Sequence, residues 1–270
     1  QRPDQPGDGV RRRDDGAQCV AAGVAFGAMA RTVDEIGAAV PALALARIGL
    51  ERPREIVPDA ALLRKLQYAH CTTVPYENLD MIQGVPTSLD PGALFDKIVA
   101  RRRGGLCFEL NGGFGALLKE LGYGVTHVAA RFLRGETSLP MRRHRVLLVE
   151  AADGMWLCDV GIGQSCPREP LRLLEHEEQP QFGENYAFRK EPFLGWVLMD
   201  FHKGAWRDFY SFTEEPQLIV DFIAPNFYCE RHPDSPFNKR EMFSLKTAEG
   251  RITLDGNVYK EFTAAGVTAR

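Results

Sequence analysis

The chain has no C-x-x-C pair: its six cysteines, at positions 19, 71, 107, 158, 166 and 229, stand apart. That excludes zinc knuckles and thioredoxin-like redox motifs, and so few cysteines make no disulfide scaffold in 270 residues. A reducing cytoplasm is the expected compartment. No apolar run approaches the roughly 18 residues of a membrane span, so no membrane partner is expected. The stretch CVAAGVAFGAMA follows arginines, but Asp14, Asp15 and Gln18 interrupt the approach a secretory signal needs. Neither sign of charge is in excess; the net charge of −3 gives no electrostatic basis for nucleic-acid binding. There is no internal repeat. The six histidines show no metal-ligand spacing, so no metal is expected. With 44% hydrophobic and 26% charged residues, the composition is that of a globular protein able to bury a sizeable core.

The pattern along the chain divides it into an α+β order. Residues 1–35, polar and rich in Pro and Gly at the start, read as a disordered extension. Residues 36–122 are helical. TVDEIGAAVPALALARIGL is one helical run, broken at Pro41. DAALLRKLQYAH is a second, with Asp59 as its N-cap. VPYENLDMIQG reads as a loop, and SLDPGALFDKIVARR as a third helix with Pro91 in its first turn. From about Thr126 to residue 212 the period is that of strands: THVAARFLRG, HRVLLVE, MWLCDVG, NYAFRK, GWVLMDF and WRDFYSF. Residues 213–270 mix a short helix near 217–226 with strands EMFSLKTA and RITLDG.

The chemistry concentrates in RRRGGLCFELN, residues 101–111. Three arginines lead into Gly104 and Gly105, whose freedom allows a sharp turn. Apolar residues then recur at helical spacing, and the run stops at Gly122, a C-cap. Cys107 therefore stands at a helix N-terminus behind positive charge, and both favour a thiolate. The plainer alternative is a small core hydrophobe. A nucleophilic cysteine needs a base and a group to orient it. If AADG (151–154) is a four-residue turn, Glu150 faces Met155 and Val146 faces residue 159. His144 then shares a face with Asp159, one diagonal away, about 7–8 Å between backbones. A two-residue turn keeps them on one face but farther apart, and a three-residue turn puts them on opposite faces. His144 could also be a surface residue among arginines and Asp159 a turn former. His127 is the next base, without an acid at comparable spacing.

With these residues in hand, the chain resembles the arylamine N-acetyltransferases. RGGLCFELN is similar to their R-G-G-x-C-x-E-x-N motif and PYENLD (75–80) to P-F-E-N-L-D. LARIGL, HRVLLV, CDVGIG and NFYCERHPDSPF match further family segments in order, from about Leu45 to Leu254. The resemblance implies a papain-like cysteine protease core made of an N-terminal helical bundle and a β-barrel, with a C-terminal α/β lid. It implies a Cys107, His144, Asp159 triad and ping-pong transfer of an acetyl group from acetyl-CoA, a co-substrate, to an arylamine, arylhydroxylamine or hydrazine. Tyr76, Ile162, Gln164 and Cys166 are expected at the acceptor, and Arg143 and Phe237 at coenzyme A. Arg103, Glu77, Glu109 and Asn111 are expected as support, with Glu77 paired to Arg103. The chain departs from the family at Ile162, where a Phe is usual, at Tyr76 for Phe, and at Arg143 for Thr. It ends about one helix early, so the lid is expected truncated. A macrolactam-forming amide synthase, a cysteine peptidase-like hydrolase and a non-catalytic binding protein are the competing functions.

Overall fold

The computed structural model describes residues 33–270, with side chains from residue 40 onward. The extension expected over residues 1–35 lies outside the described residues except for its last three, which open α1 (Val33–Arg47). That helix runs through Pro41 instead of breaking there, because a proline removes one helical hydrogen bond and kinks a helix without having to end it. In α2 (Ala60–Thr73) the Asp59 carboxylate accepts from the Leu62 N–H at 2.8 Å, the expected N-cap. The stretch expected as a loop instead forms β1 (Tyr76–Glu77) and one turn, α3 (Leu79–Ile82). Helix α4 (Pro91–Phe95) starts under an Asp90 cap with Pro91 in its first turn and widens into a π-helical turn at Asp96–Ala100. Helix α5 (Cys107–Glu120) ends in a Schellman closure: Gly122, at φ +89°, donates to Lys119 O and Tyr123 to Leu118 O.

The strands β2 (Gly124–Phe132), β3 (His144–Ala151), β4 (Gly154–Cys158), β5 (Leu171–Arg172), β6 (Gln179–Gln181), β7 (Glu184–Glu191), β8 (Gly195–His202) and β9 (Ala205–Phe212) form one antiparallel sheet. Its order is β5-β4-β3-β2-β9-β8-β7-β6. The two edges meet through glutamines that imitate strand pairing. Gln179 exchanges two hydrogen bonds with the Arg172 backbone, at 2.7 and 2.8 Å, and Gln181 two with Glu169, at 2.8 and 3.2 Å. The sheet is thereby a nearly closed barrel. Strand β3 is buried on both faces, and its period of two sorts them. Val146 and Leu148 join the aromatic interior with Phe188, Tyr210 and Phe212. Leu147 and Val149 join the helical core of Leu63, Leu110 and Phe114.

After β9 the chain makes a 3-10 turn (Ile219–Phe222) and α6 (Ile223–Arg231), several residues later than the helix expected at 217–226. Strands β10 (Met242–Lys246), β11 (Arg251–Asp255), β12 (Val258–Thr263) and β13 (Gly266–Ala269) follow. They add to β1, in the order β1-β10-β11-β12-β13. Tyr76 thus pairs with Ser244, and the Asn78 side chain clamps the same join through Met242 N, Phe237 O and Arg240 O. Among the described residues no helix is long and apolar enough to cross a membrane.

Candidate active site

The backbone entering α5 is held by buried charge. The Glu109 carboxylate, three residues into the helix, accepts from Leu106 N at 3.0 Å and from Lys97 Nζ at 2.7 Å. Lys97 also meets Asp80 at 2.8 Å, and Arg103 meets Asp80 at 2.9 Å and Glu77 at 3.0 Å. Glu77 accepts from the N–H groups of Leu79 and Gly104 as well. Glu77 and Glu109 are each 2% exposed, so these are not surface pairs. Burial pulls the Lys97 ammonium down, but Glu109 and Asp80 outweigh it and its pKa rises. Asp80 is lowered: burial raises it, and Lys97 and Arg103 more than offset that. Gly104 is obligatory here, since a Cβ would lie 2.0 Å from the Pro75 carbonyl oxygen. The Glu77–Arg103 pair was expected. Lys97 and Asp80 join it from a different helix and from the end of PYENLD, an association that their positions in the sequence do not signal.

The β3–β4 register places Glu150 opposite Met155 and Leu147 opposite Cys158, and the turn closes one pair further in, at Ala151 and Gly154. Asp159 is therefore the first residue beyond β4, and its Oδ2 lies 2.7 Å from His144 Nε2. Its Oδ1 accepts from Asn111 Nδ2 and from Gly161 N, both at 2.9 Å. Asn111 also accepts from Val160 N and donates to Arg145 O, tying α5 to both strands. Gly161 lets the turn approach the cysteine: a Cβ there would be 2.6 Å from Cys107 Cα. His144 Nδ1 is buried and meets no nitrogen or oxygen partner among the described residues. Its ring lies against Phe132 and Tyr210, with centroids at 5.0 and 5.4 Å. Burial pulls the His144 pKa down, but the Asp159 carboxylate and Cys107 outweigh it and push it up to about 10. Such a histidine is an imidazolium at neutral pH. By contrast His127 is pushed down to about 3, by burial and by Arg145 beside it, so it stays neutral. Cys107 is buried, and its Sγ points toward the Arg143 carbonyl oxygen at 3.9 Å.

A cavity of about 580 Å³ opens beside this group. Tyr76, Ile162, Gln164 and Phe237 line it, together with Phe132 and Phe209. Cys166 does not. It is buried, with its thiol 2.7 Å from Asp159 O and 3.4 Å from the Cys71 sulfur, because the 3-10 turn at Gly163–Ser165 carries it away from the cavity. Arg143 and Phe237, expected together, line different cavities, and the Arg143 guanidinium is engaged by Glu136 at 2.6 Å. Burial, Cys107, Cys229 and Asp159 all raise the Tyr76 pKa, so its hydroxyl is neutral.

The N-acetyltransferase family model matches residues 59–270. The chain belongs to the arylamine N-acetyltransferase family. It is 37% identical to the arylamine N-acetyltransferase of Mycobacterium tuberculosis over 77% of this chain and 76% of that one. It is also 37% identical to the arylamine N-acetyltransferase / N-hydroxyarylamine O-acetyltransferase of Salmonella typhimurium over 73% and 71%. Among solved structures it is similar to the Salmonella typhimurium arylamine N-acetyltransferase, with a TM-score of 0.80 and 32% identity over 85% of this chain and 83% of that one. The Mycobacterium marinum arylamine N-acetyltransferase in complex with CoA gives a TM-score of 0.77 and 33% identity over 84% of each chain. Cys107 to Asn111, His144 and Asp159 all lie inside the matched region of this arylamine N-acetyltransferase family member.

Proposed function

We propose that this protein transfers an acetyl group from acetyl-CoA to the nitrogen of arylamines, arylhydroxylamines or hydrazines through an acetyl-cysteine intermediate. The observation that carries the reading is the buried His144–Asp159 contact of 2.7 Å, on a ring that Cys107 also acts on. Cys107 attacks the thioester carbonyl as a thiolate beside imidazolium His144. The tetrahedral oxyanion meets the Cys107 N–H, one of the free amides at the start of α5. Coenzyme A leaves with a proton from His144, and a thioester remains on Cys107. The acceptor nitrogen then attacks that thioester, His144 takes its proton, and the N-acetyl product departs as the thiolate re-forms. Asp159 fixes the imidazole's tautomer and orientation and stabilises its charge.

In this reading the helical part and the barrel form a papain-like core spanning 36–122 and 123–212, and residues 213–270 form an α/β lid. The aromatic cavity that includes Phe132, Phe209 and Phe237 takes the acceptor ring. The five described cysteines are free, which fits a cytoplasmic enzyme. Incubation with acetyl-CoA followed by intact-mass measurement should show an adduct of about 42 Da, lost in Cys107→Ala and discharged by an added aniline. Absence of the adduct in the wild type, or its persistence in Cys107→Ala, defeats the reading.

A further inference from the structure

Among the described residues, most buried cations have a carboxylate. Lys97 has Asp80 and Glu109, and Arg168 and Lys246 share Glu184. Arg47 has none, but four backbone carbonyls surround it. Arg145, on β3 next to His144, is 2% exposed and, among the described residues, has no carboxylate and no such ring of carbonyls. Its Nη1 donates to a single carbonyl, that of Phe108, at 3.0 Å. Its other contacts are the neutral His127 ring, at 3.1 to 3.4 Å, and the face of Phe222, 4.8 Å from the guanidinium carbon. The approach to α5 depends on Gly112, where a Cβ would lie 2.8 Å from Arg145 Nη1. A charge so placed, with no anion of its own, needs an anion nearby.

We propose that Arg145 is a positioning residue for the nucleophile: its guanidinium, lodged behind the first turn of α5, is the buried counter-charge that holds Cys107 as a thiolate. This rests on the reading of Cys107 as nucleophile. A Cys107 thiolate, a His144 imidazolium and an Asp159 carboxylate together carry one negative charge in a site closed by Phe108, Phe222 and Tyr76. Arg145 brings that sum to zero. Burial pushes the Arg145 pKa down to about 10, and the group that favours its charge is Cys107. An electrostatic coupling is mutual, so Arg145 favours the charged Cys107 by the same interaction. The other titratable or charged groups around Cys107 are His144 from β3, Asp159 after β4, Tyr76 from β1, Cys229 from α6 and, before β3, Arg143, which acts on Tyr76 and Cys229 and is paired to Glu136. His127 from β2 faces Arg145, and Lys119 from α5 acts on His127.

The test is the pH profile of Cys107 alkylation by iodoacetamide, with the modified residue located by peptide mass mapping, in wild type, Arg145→Gln, Arg145→Lys and His127→Asp. Arg145→Gln should move the alkylation midpoint up by about one to three pH units. Arg145→Lys, which keeps the charge but loses the planar fork, should stay near wild type. His127→Asp leaves Arg145 in place and pairs it with a carboxylate, so its midpoint should also rise; it decides the matter if Arg145→Gln does not fold. A merely structural role predicts lower melting temperatures with every midpoint unmoved, and that result overturns the inference. Slow alkylation of wild-type Cys107 at neutral pH defeats instead the nucleophile reading beneath it.

Discussion

Two regions meet at Cys107, and they are built on opposite principles. The backbone before it is braced by formal charge, with Glu77, Asp80, Lys97, Arg103 and Glu109 in mutual contact. The cavity beside it takes its shape from aromatic side chains of β1, β2, β9, β10 and β12 and of the segment before β10, set among aliphatic and polar neighbours. The ionic region is intolerant because each carboxylate there serves two or more donors, and removing one partner strands the rest. The aromatic region makes nondirectional contacts, so it should absorb substitution and change preference before it changes rate. The Cys107–His144–Asp159 group lies between them and takes its rigidity from the first and its shape from the second.

The sharpest way to break this contrast is at the junction. Asp159→Asn keeps the size of the side chain but presents an amide to His144 and Asn111, and should lower kcat by about 10³- to 10⁴-fold; steady-state acetylation of an aniline measures it. Lys97→Met should cost about 3–5 kcal/mol of stability, because it leaves buried Asp80 and Glu109 without their ammonium, read by urea unfolding. A variant as stable as wild type would show the network to be dispensable.

Titration sharpens the same comparison. The His144 pKa is raised from an unfolded value near 6.5 to about 10, so its stabilising contribution is complete below pH ~6.5 and is lost as pH rises through about 10. The wild-type melting temperature should therefore fall across that window, and in His144→Gln this part of the fall should vanish. Asp80 has the opposite sign. Its folded pKa is depressed, so its contribution is present above about pH 4 and is lost as pH falls through the lower folded value. The smallest effect is expected in the cavity. Ile162→Phe adds a ring worth about 0.5–1.5 kcal/mol, so the KM for ring acceptors should change about 2- to 10-fold with kcat nearly constant. A collapse of kcat instead would place Ile162 with the rigid region.

Local signals announced the elements whose causes are local. Asp59 caps α2 and Gly122 closes α5 because each satisfies backbone groups within a few residues. The short β3–β4 turn, by setting the pairing of Glu150 with Met155, carried His144 to within reach of Asp159. The misses have distant causes. Tyr76 and Glu77 are extended because distant segments pair with them, β10 on one side and Gly105 on the other. Strands β12 and β13 are short and largely exposed, and take their conformation from the ladder that β10 and β11 begin. Cys166, expected at the acceptor, follows the 3-10 turn at Gly163–Ser165 and is buried with its thiol on Asp159 O.

The sequence by itself determined the broad order of helices, then strands, and the family, since periods of 3.6 and 2 are read over a few residues; among the turn lengths it allowed, the fold chose the one that brings His144 to Asp159. Tertiary structure alone decided which charges are buried and what each one faces. Lys97, with two carboxylates, and Arg145, with none, look alike as letters. What separates them is desolvation and the partners brought by other elements, and neither exists until the chain has folded.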